Sequence, residues 1–223
     1  MSILLHDAEF DRIAGETLAA WQDVPPAIAT DSMHRSNVMA ARIKPIAHGM
    51  KLCGQARTVH CMVGDNGPIH AAMRLIRDGD VLVIDAGGYH DVAVWGGMLT
   101  REAMARGCGG VVVDGAIRDA AEIRELGFAC FSAAIVPRGP HKGFGGQLDG
   151  VISCGACAVA AGDLILGDDD GVAVVPIAQA DAVLARCREK IVQEKQWAKL
   201  IAEGGLLADI IGVPQPEPID QQR

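Results

Sequence analysis

The sequence predicts an α/β protein, and three features predict it. Residues 80–84 (DVLVI) and Val111-Val112-Val113 are short runs that are apolar at nearly every position, as strands buried on both faces of a parallel sheet are. Stretches of helical length separate the strand-like runs. Half of the residues are hydrophobic and only 4% aromatic, with 27 glycines, which suits a tightly packed α/β core rather than a disordered chain. A length of 223 residues is enough for one large domain or two small ones.

Taken in order, residues 7–20 (DAEFDRIAGETLAA) read as an amphipathic helix, which Asp23-Val24-Pro25-Pro26 breaks. Residues 28–35 make a second helix with Asp31, Ser32 and His34 near its end; Asp31 reads as a cap or as a catalytic carboxylate. Residues 57–63 (RTVHCMV) form a strand, Asp65-Asn66-Gly67-Pro68 is a turn, and 69–76 is a helix ended by Arg77-Asp78-Gly79. After the strand 80–84, a glycine-rich loop from Asp85 through Gly87 and Gly88 leads to a helix that opens at Trp95-Gly96-Gly97 and runs to about residue 105. The strand at 111–113 follows, then a turn through Arg118-Asp119, a helix from 119 to about 126, and a strand at 128–131. Residues 136–149 (VPRGPHKGFGGQLD), with His141 and Lys142, are a functional loop or a plain connection. Residues 163–166 and 172–175 flank an Asp-Gly turn and read as a hairpin; the carboxylates Asp168, Asp169 and Asp170 lack the spacing of a calcium loop. Residues 178–203 form a long helix, and a proline-rich tail from 214 to 223 is loose.

The stretch from Gly87 to Glu122 carries the chemistry. The first turn of a helix has amides without partners and attracts an anion. Gly96 and Gly97 leave that backbone uncovered, so the amides of Gly97, Met98 and Leu99 are open to a small acid. Arg118 leaves the next strand about twenty residues later and can aim its guanidinium fork at the same anion, a geometry lysine does not reproduce. Asp119 is then free to hold a cation, with Glu122 one helical turn further on the same face. Together they describe a small cup for an anionic, oxygen-rich metabolite with a metal at its edge. Each part has a plainer reading, Gly-Gly as a tight turn and Arg-Asp as a helix cap; their combination at this spacing points to a site.

Several classes are excluded. A net charge of −8 without a basic cluster argues against nucleic-acid binding. No apolar run is long enough to span a bilayer, and the N-terminus lacks the pattern of a signal peptide, so the expected location is the cytoplasm. Seven cysteines, an odd number, fit reduced thiols, and Cys154-Gly155-Ala156-Cys157 lacks the second pair a structural zinc would need, so its cysteines read as small core residues. Neither a G-x-x-x-x-G-K-[ST] loop nor a G-x-G-x-x-G after a strand occurs, leaving nucleotide use unsupported.

Six segments resemble the RraA-like family: Thr30-Asp31, the run GQARTV at 54–59, GDVLVID at 79–85, AVWGG at 93–97, VDGAIRD at 113–119 and DGVAVVP at 170–176. They keep the family's order and span about residues 25–205; the spacing from Gly97 to Arg118-Asp119 and on to Glu122 is the most specific element. The resemblance implies one domain over residues 1–223, with a swivelling-type β/β/α fold of layered sheets flanked by helices. It implies cleavage of a 4-hydroxy-2-oxo diacid to pyruvate and a second oxo acid, dependent on Mg2+ (or Mn2+), with oxaloacetate decarboxylation as a side reaction. On that reading Gly96, Gly97, Met98, Leu99 and Arg118 bind substrate, Asp119 and Glu122 serve the metal, and Arg118 is catalytic. A glutamate of the C-terminal helix of a neighbouring subunit completes the site, Glu194 being the first match and Glu189 the second, within trimers, often paired into hexamers. Several aldolases of the family carry an acid where this chain has Gly97, a departure that weakens catalysis or alters the substrate unless Asp91 substitutes. Other family members are non-catalytic rings that bind ribonuclease E, which is the alternative function.

Overall fold

Parallel pairing of apolar strands organises the chain. A computed structural model describes residues 2–218. In chain order the elements are β1 (Ile3–Leu5), α1 (Gly15–Gln22), α2 (Pro26–Ser32), β2 (Lys44–Pro45), β3 (Leu52–Cys61), α3 (Gly67–Ala72), β4 (Val81–Trp95), α4 (Gly97–Ala105), β5 (Gly110–Ile117), α5 (Ala120–Glu125), β6 (Cys130–Ile135), β7 (Gly146–Leu148), β8 (Ile152–Cys154), β9 (Cys157–Val159), β10 (Leu164–Asp168), β11 (Gly171–Val175), α6 (Ala180–Ala202) and α7 (Leu207–Ile210). The strands β3, β4, β5 and β6 run parallel side by side, within a sheet of order β1-β7-β3-β4-β5-β6-β2. The start of β3 turns away to pair with β10, which forms an antiparallel hairpin with β11.

Both faces of the parallel strands are covered, which explains their unbroken apolar sequence. Leu82, Ile84, Val111 and Val113 point into one core cluster with Trp95, Leu99 and Ile123. Val81, Val83 and Val112 point the other way, against Phe131, Ile165 and Val174. Successive strand residues face opposite sides, so one run feeds two cores. Each such side chain contributes roughly 1.5–3 kcal/mol through burial. A third cluster packs Trp21, Ile28, Val183 and Leu184 of α1, α2 and α6 against Leu164 and Val175.

The structure corrects several boundaries. The N-terminal helix begins at Gly15, not at residue 7. Residues 6–14 instead lie across the molecule: Arg12 Nη1 donates to Asp80, Gln55 donates to the Asp11 carbonyl at 3.0 Å, and the Arg57 guanidinium sits 5.1 Å from the centre of the Phe10 ring. These long-range contacts override local helical periodicity. The glycine-rich loop after Asp85 is part of β4: the strand continues to Trp95 with register shifts, and Gly87 and Gly88 take positive φ within it. The strand near 128–131 is displaced to Cys130–Ile135. The helix foreseen at 178–203 and the hairpin at 163–175 are found, as Ala180–Ala202 and as β10–β11. Residues 213–218 have no regular structure, and 219–223 of the tail lie outside the described residues. All seven cysteines are free; burial pushes the Cys130 thiol up to about 12 and raises those of Cys154 and Cys157, so they remain protonated core groups at neutral pH. Among the described residues, no helix is long and apolar enough to cross a membrane.

One buried ionic cluster ties these layers together. Asp80 is wholly buried and accepts from Arg12, from Arg57 Nε at 3.3 Å and from the Arg77 amide at 2.9 Å; Arg57 also donates to Asp149 at 2.6 Å. Removing one member of a buried ion pair strands the other without solvent. Asp80→Ala is therefore expected to lower unfolding stability by about 3–5 kcal/mol in urea titration; a loss below about 1 kcal/mol would show that the cluster is not a structural tie.

Candidate active site

The site forms where two neighbouring parallel strands end. Trp95, the last residue of β4, pairs in register with Ile117, the last of β5. The Arg118 amide donates to the Trp95 carbonyl at 2.9 Å, so the chain leaving β5 is fixed beside the chain entering α4. Trp95 is buried, stacks on Phe128 with ring centres 6.2 Å apart, and donates its indole N–H to Thr100 Oγ1 at 2.8 Å. That hydroxyl donates in turn to the Gly96 carbonyl at 3.1 Å. The junction between β4 and α4 is thereby held from inside the core.

Gly96 is required by space rather than by conformation. Its backbone is extended, with φ −170, but a Cβ there would stand 2.7 Å from Asp119 Oδ2 and 3.0 Å from Arg118 Cγ. Asp119 itself adopts the left-handed conformation, φ 57 and ψ 34, rare for a residue with a side chain and associated with functional turns. This places its carboxylate over the first turn of α4, where Oδ2 accepts from the Gly97 amide at 3.0 Å and lies 3.5 Å from Arg118 Nε.

A hollow of ≈ 220 Å³ opens at this point, below the range of about 300–1,000 Å³ typical of drug-sized ligands and suited to a small metabolite. Gly96, Met98, Leu99, Arg118 and Asp119 all line it. Among the described residues, the amides of Met98 and Leu99 have no acceptor, as the first turn of a helix leads one to expect. Gly97 departs from the sequence expectation: its amide is taken by Asp119, and it does not line the hollow. The protein's own carboxylate has filled part of the anion site at the helix start. Glu122 leans back over the same turn. Its Oε1 accepts from Arg101 Nε at 2.8 Å, and its Oε2 would lie 2.3 Å from a Cβ on Gly97. The glycine at 97 thus makes room for Glu122. Asp91 lies in β4 and is not among the lining residues.

Glu194 is not brought to the hollow within one protomer. It is half-exposed on α6, with Lys190 at 3.9 Å. Glu189 and Asp31 line a separate cleft of ≈ 400 Å³ between α2 and α6.

Of the polar lining residues, Asn66 and His70 were not expected, and Lys142 comes from the 136–149 segment that reads as a functional loop or a plain connection. The first two come from the turn and helix after β3. Because β3 is parallel to β4 and β5, its C-terminal end faces the same edge of the sheet, where sites in such sheets collect. That neighbourhood was available from the strand order; the individual residues were not. Burial, and secondarily Lys142, lower the His70 pKa against the opposing pull of Glu102, so its imidazole is neutral at neutral pH.

No cluster of three or more His, Cys, Asp or Glu side chains suited to a metal occurs among the described residues. The donors nevertheless fit a magnesium-type ion. Asp119 Oδ1 and Glu122 Oε2 have no hydrogen-bond donor among the described residues, and a hard ion that keeps most of its waters needs only one or two carboxylates.

A family model described as RraA-like, Aldolase/RraA, matches residues 8–174. The chain belongs to the RraA-like family. A relative from Halalkalibacterium halodurans, provisionally named a 4-hydroxy-4-methyl-2-oxoglutarate aldolase, is 33% identical over 186 residues, covering 83% of this chain and 89% of that protein. Among solved structures, an uncharacterized protein from Pseudomonas syringae pv. tomato superposes with a TM-score of 0.81 at 24% identity, covering 92% of this chain and 97% of that one, which shows the fold. RraAS2 of Streptomyces coelicolor, described as an unusual member of the RNase ES inhibitor RraA family, has a TM-score of 0.76 at 28% identity, covering 87% and 100%. The RraA-like fold, a mixed α/β domain with a large sheet flanked by helices, is therefore established for this chain.

The packing of Asp119 on Gly97 yields a direct test. Gly96→Ala is expected to expel the Asp119 carboxylate and speed hydrogen exchange at the Gly97 amide at least about tenfold, the loss of one charge-assisted hydrogen bond. Unchanged exchange would show that Asp119 does not hold that amide.

Proposed function

We propose that the protein is a divalent-metal-dependent lyase that cleaves a 4-hydroxy-2-oxo diacid to pyruvate and a second oxo acid. The observation that carries this reading is the convergence of the Met98 and Leu99 amides, the Arg118 guanidinium and the Asp119 carboxylate on one small hollow. Membership of the RraA-like family and the aldolase name of a relative support it.

Each residue has a stated task. The two free amides hold the substrate's C1 carboxylate at the positive end of α4. Arg118 places its fork against the 2-oxo oxygen, where negative charge develops as the C3–C4 bond breaks. Such a preorganised donor is commonly worth about 10²–10³ in rate. The bond electrons pass to C3 and the 2-oxygen, the 4-hydroxyl becomes a carbonyl as it loses its proton, and protonation at C3 gives pyruvate. Glu194 of the partner subunit is assigned to the hydroxyl proton, which makes the site complete only in an oligomer, a trimer or a hexamer. Asp119, with Glu122 behind it, would hold Mg2+ or Mn2+; when bound, the ion supplies electron withdrawal at the substrate oxygens. The same groups would stabilise the enolate left by oxaloacetate decarboxylation.

A second reading, a non-catalytic ring that binds a ribonuclease, draws on the likeness to RraAS2. A coupled pyruvate assay on 4-hydroxy-2-oxo diacids and oxaloacetate, with and without chelator, separates the two. Turnover that is lost with chelator and restored by magnesium or manganese is the expected result; no turnover of any oxo acid, beside capture of the ribonuclease in a pull-down, would favour the ring.

Two variants test the roles. Asp119→Ala is expected to abolish metal-dependent pyruvate release with the fold intact by circular dichroism, and a fully active variant would remove Asp119 from the site. Arg118→Lys is expected to lose about 10²-fold in kcat, close to Arg118→Ala, because the point charge lacks the fork. Near-normal turnover by the lysine variant would show that a point charge suffices at the 2-oxo oxygen and would contradict the role given to the fork.

A further inference from the structure

We propose that Lys142 selects dianionic over monoanionic oxo acids in the hollow, and that buried Asp65 is the positioning residue that delivers it there. The inference rests on the proposed lyase reading for the identity of the first carboxylate and extends it to the second.

Asp65 is wholly buried and spends both oxygens on backbone amides. Oδ1 accepts from Gly67 at 2.8 Å, at the start of α3; Oδ2 accepts from Gly143 at 2.7 Å and Phe144 at 3.1 Å. Beside this clamp the His141 amide donates to the Gly64 carbonyl at 2.8 Å, and the Asn66 amide donates to the His141 carbonyl at 3.0 Å. Lys142 therefore projects from a short segment fixed on both sides, although its own side chain is exposed. A charge-assisted bond to a buried carboxylate is stronger than a neutral one, and three of them converge here.

The charged groups in and beside the hollow are paired with one another, and none of them pairs with Lys142 among the described residues. Arg118 has Asp119 at 3.5 Å, and Arg101 takes Glu122. His70 is neutral, being lowered first by burial, and Lys142 lines the hollow. Among the described residues Lys142 makes no ion pair. The two free amides and Arg118 meet the needs of one carboxylate and the neighbouring oxo group. A second cation at the wall of a cavity of ≈ 220 Å³, free of an ion pair among the described residues, matches a second carboxylate on the same ligand. The same segment runs close to the guanidinium: a Cβ on Gly139 would come within 2.7 Å of Arg118 Nη1.

Calorimetric titration with 2-oxoglutarate (a dianion) and 2-oxobutyrate (a monoanion), both with magnesium present, tests the proposal. The natural protein is expected to bind the dianion about tenfold more tightly. Lys142→Ala is expected to erase that margin while leaving the monoanion affinity within about twofold, and Lys142→Arg to keep it, since a side chain of the same charge suffices for long-range attraction. Asp65→Asn is expected to shrink the margin without changing monoanion affinity. Should that variant not fold, hydrogen exchange in the natural protein serves instead: slow exchange at Gly143 and Phe144 supports the clamp, and exchange at the rate of an open loop overturns it. A margin unchanged in Lys142→Ala, or no preference for the dianion in the natural protein, overturns the selection. Absence of pyruvate release with the margin intact would defeat the lyase reading alone; turnover with a margin independent of Lys142 would defeat this inference alone.

Discussion

The pairing of Trp95 with Ile117 at the ends of two adjacent parallel strands is the constraint on which the candidate site depends. It fixes the exits of β4 and β5 side by side, so the residues that follow one strand must meet those that follow the other. Gly96 and α4 come from the first exit, Arg118 and Asp119 from the second. The pairing is itself secured by burial on both sheet faces, with Leu82, Ile84, Val111 and Val113 on one side and Val81, Val83 and Val112 on the other. A one-residue slip would exchange these faces and separate the site. The energy that places the functional groups is therefore that of the hydrophobic core, and the polar groups add orientation to it.

Orientation has a visible cost at Asp119. The left-handed backbone costs about 1 kcal/mol or more for a residue with a Cβ. The compensation is the bond from the Gly97 amide and the proximity of Arg118. The result is a helix start in which one amide serves the protein's own carboxylate, while those of Met98 and Leu99 have no acceptor among the described residues. Glu122, arriving from α5, occupies the space over Gly97 that a side chain there would need.

Much of this was legible in the chain. The runs at 80–84 and 111–113 announced strands covered on both faces, and Gly96-Gly97 announced a helix start with open amides. Met98, Leu99, Arg118 and Asp119 reach one hollow as the spacing suggested. What was not legible depends on partners distant in sequence. Residues 6–14 have helical periodicity, but Arg12 and Phe10 are committed to Asp80 and Arg57. The glycines at 87 and 88 look like a loop, yet β5 continues to pair with the chain beyond them. That Asp119 would take the Gly97 amide required knowing a left-handed φ in advance. His70 enters from the helix after β3 with no local motif to mark it, and Lys142 from the glycine-rich segment whose role was open until Asp65 was seen to pin it. Glu194 belongs to a surface of α6 that meets the hollow only if another chain supplies it.

The convergence of amides, guanidinium and carboxylate on one ligand is most directly tested by diffraction from crystals grown with manganese and pyruvate. The ligand carboxylate is expected within hydrogen-bond distance of the Met98 and Leu99 amides, its 2-oxygen against Arg118, and an anomalous manganese peak beside Asp119. Pyruvate bound elsewhere, or a manganese peak remote from Asp119, would contradict it.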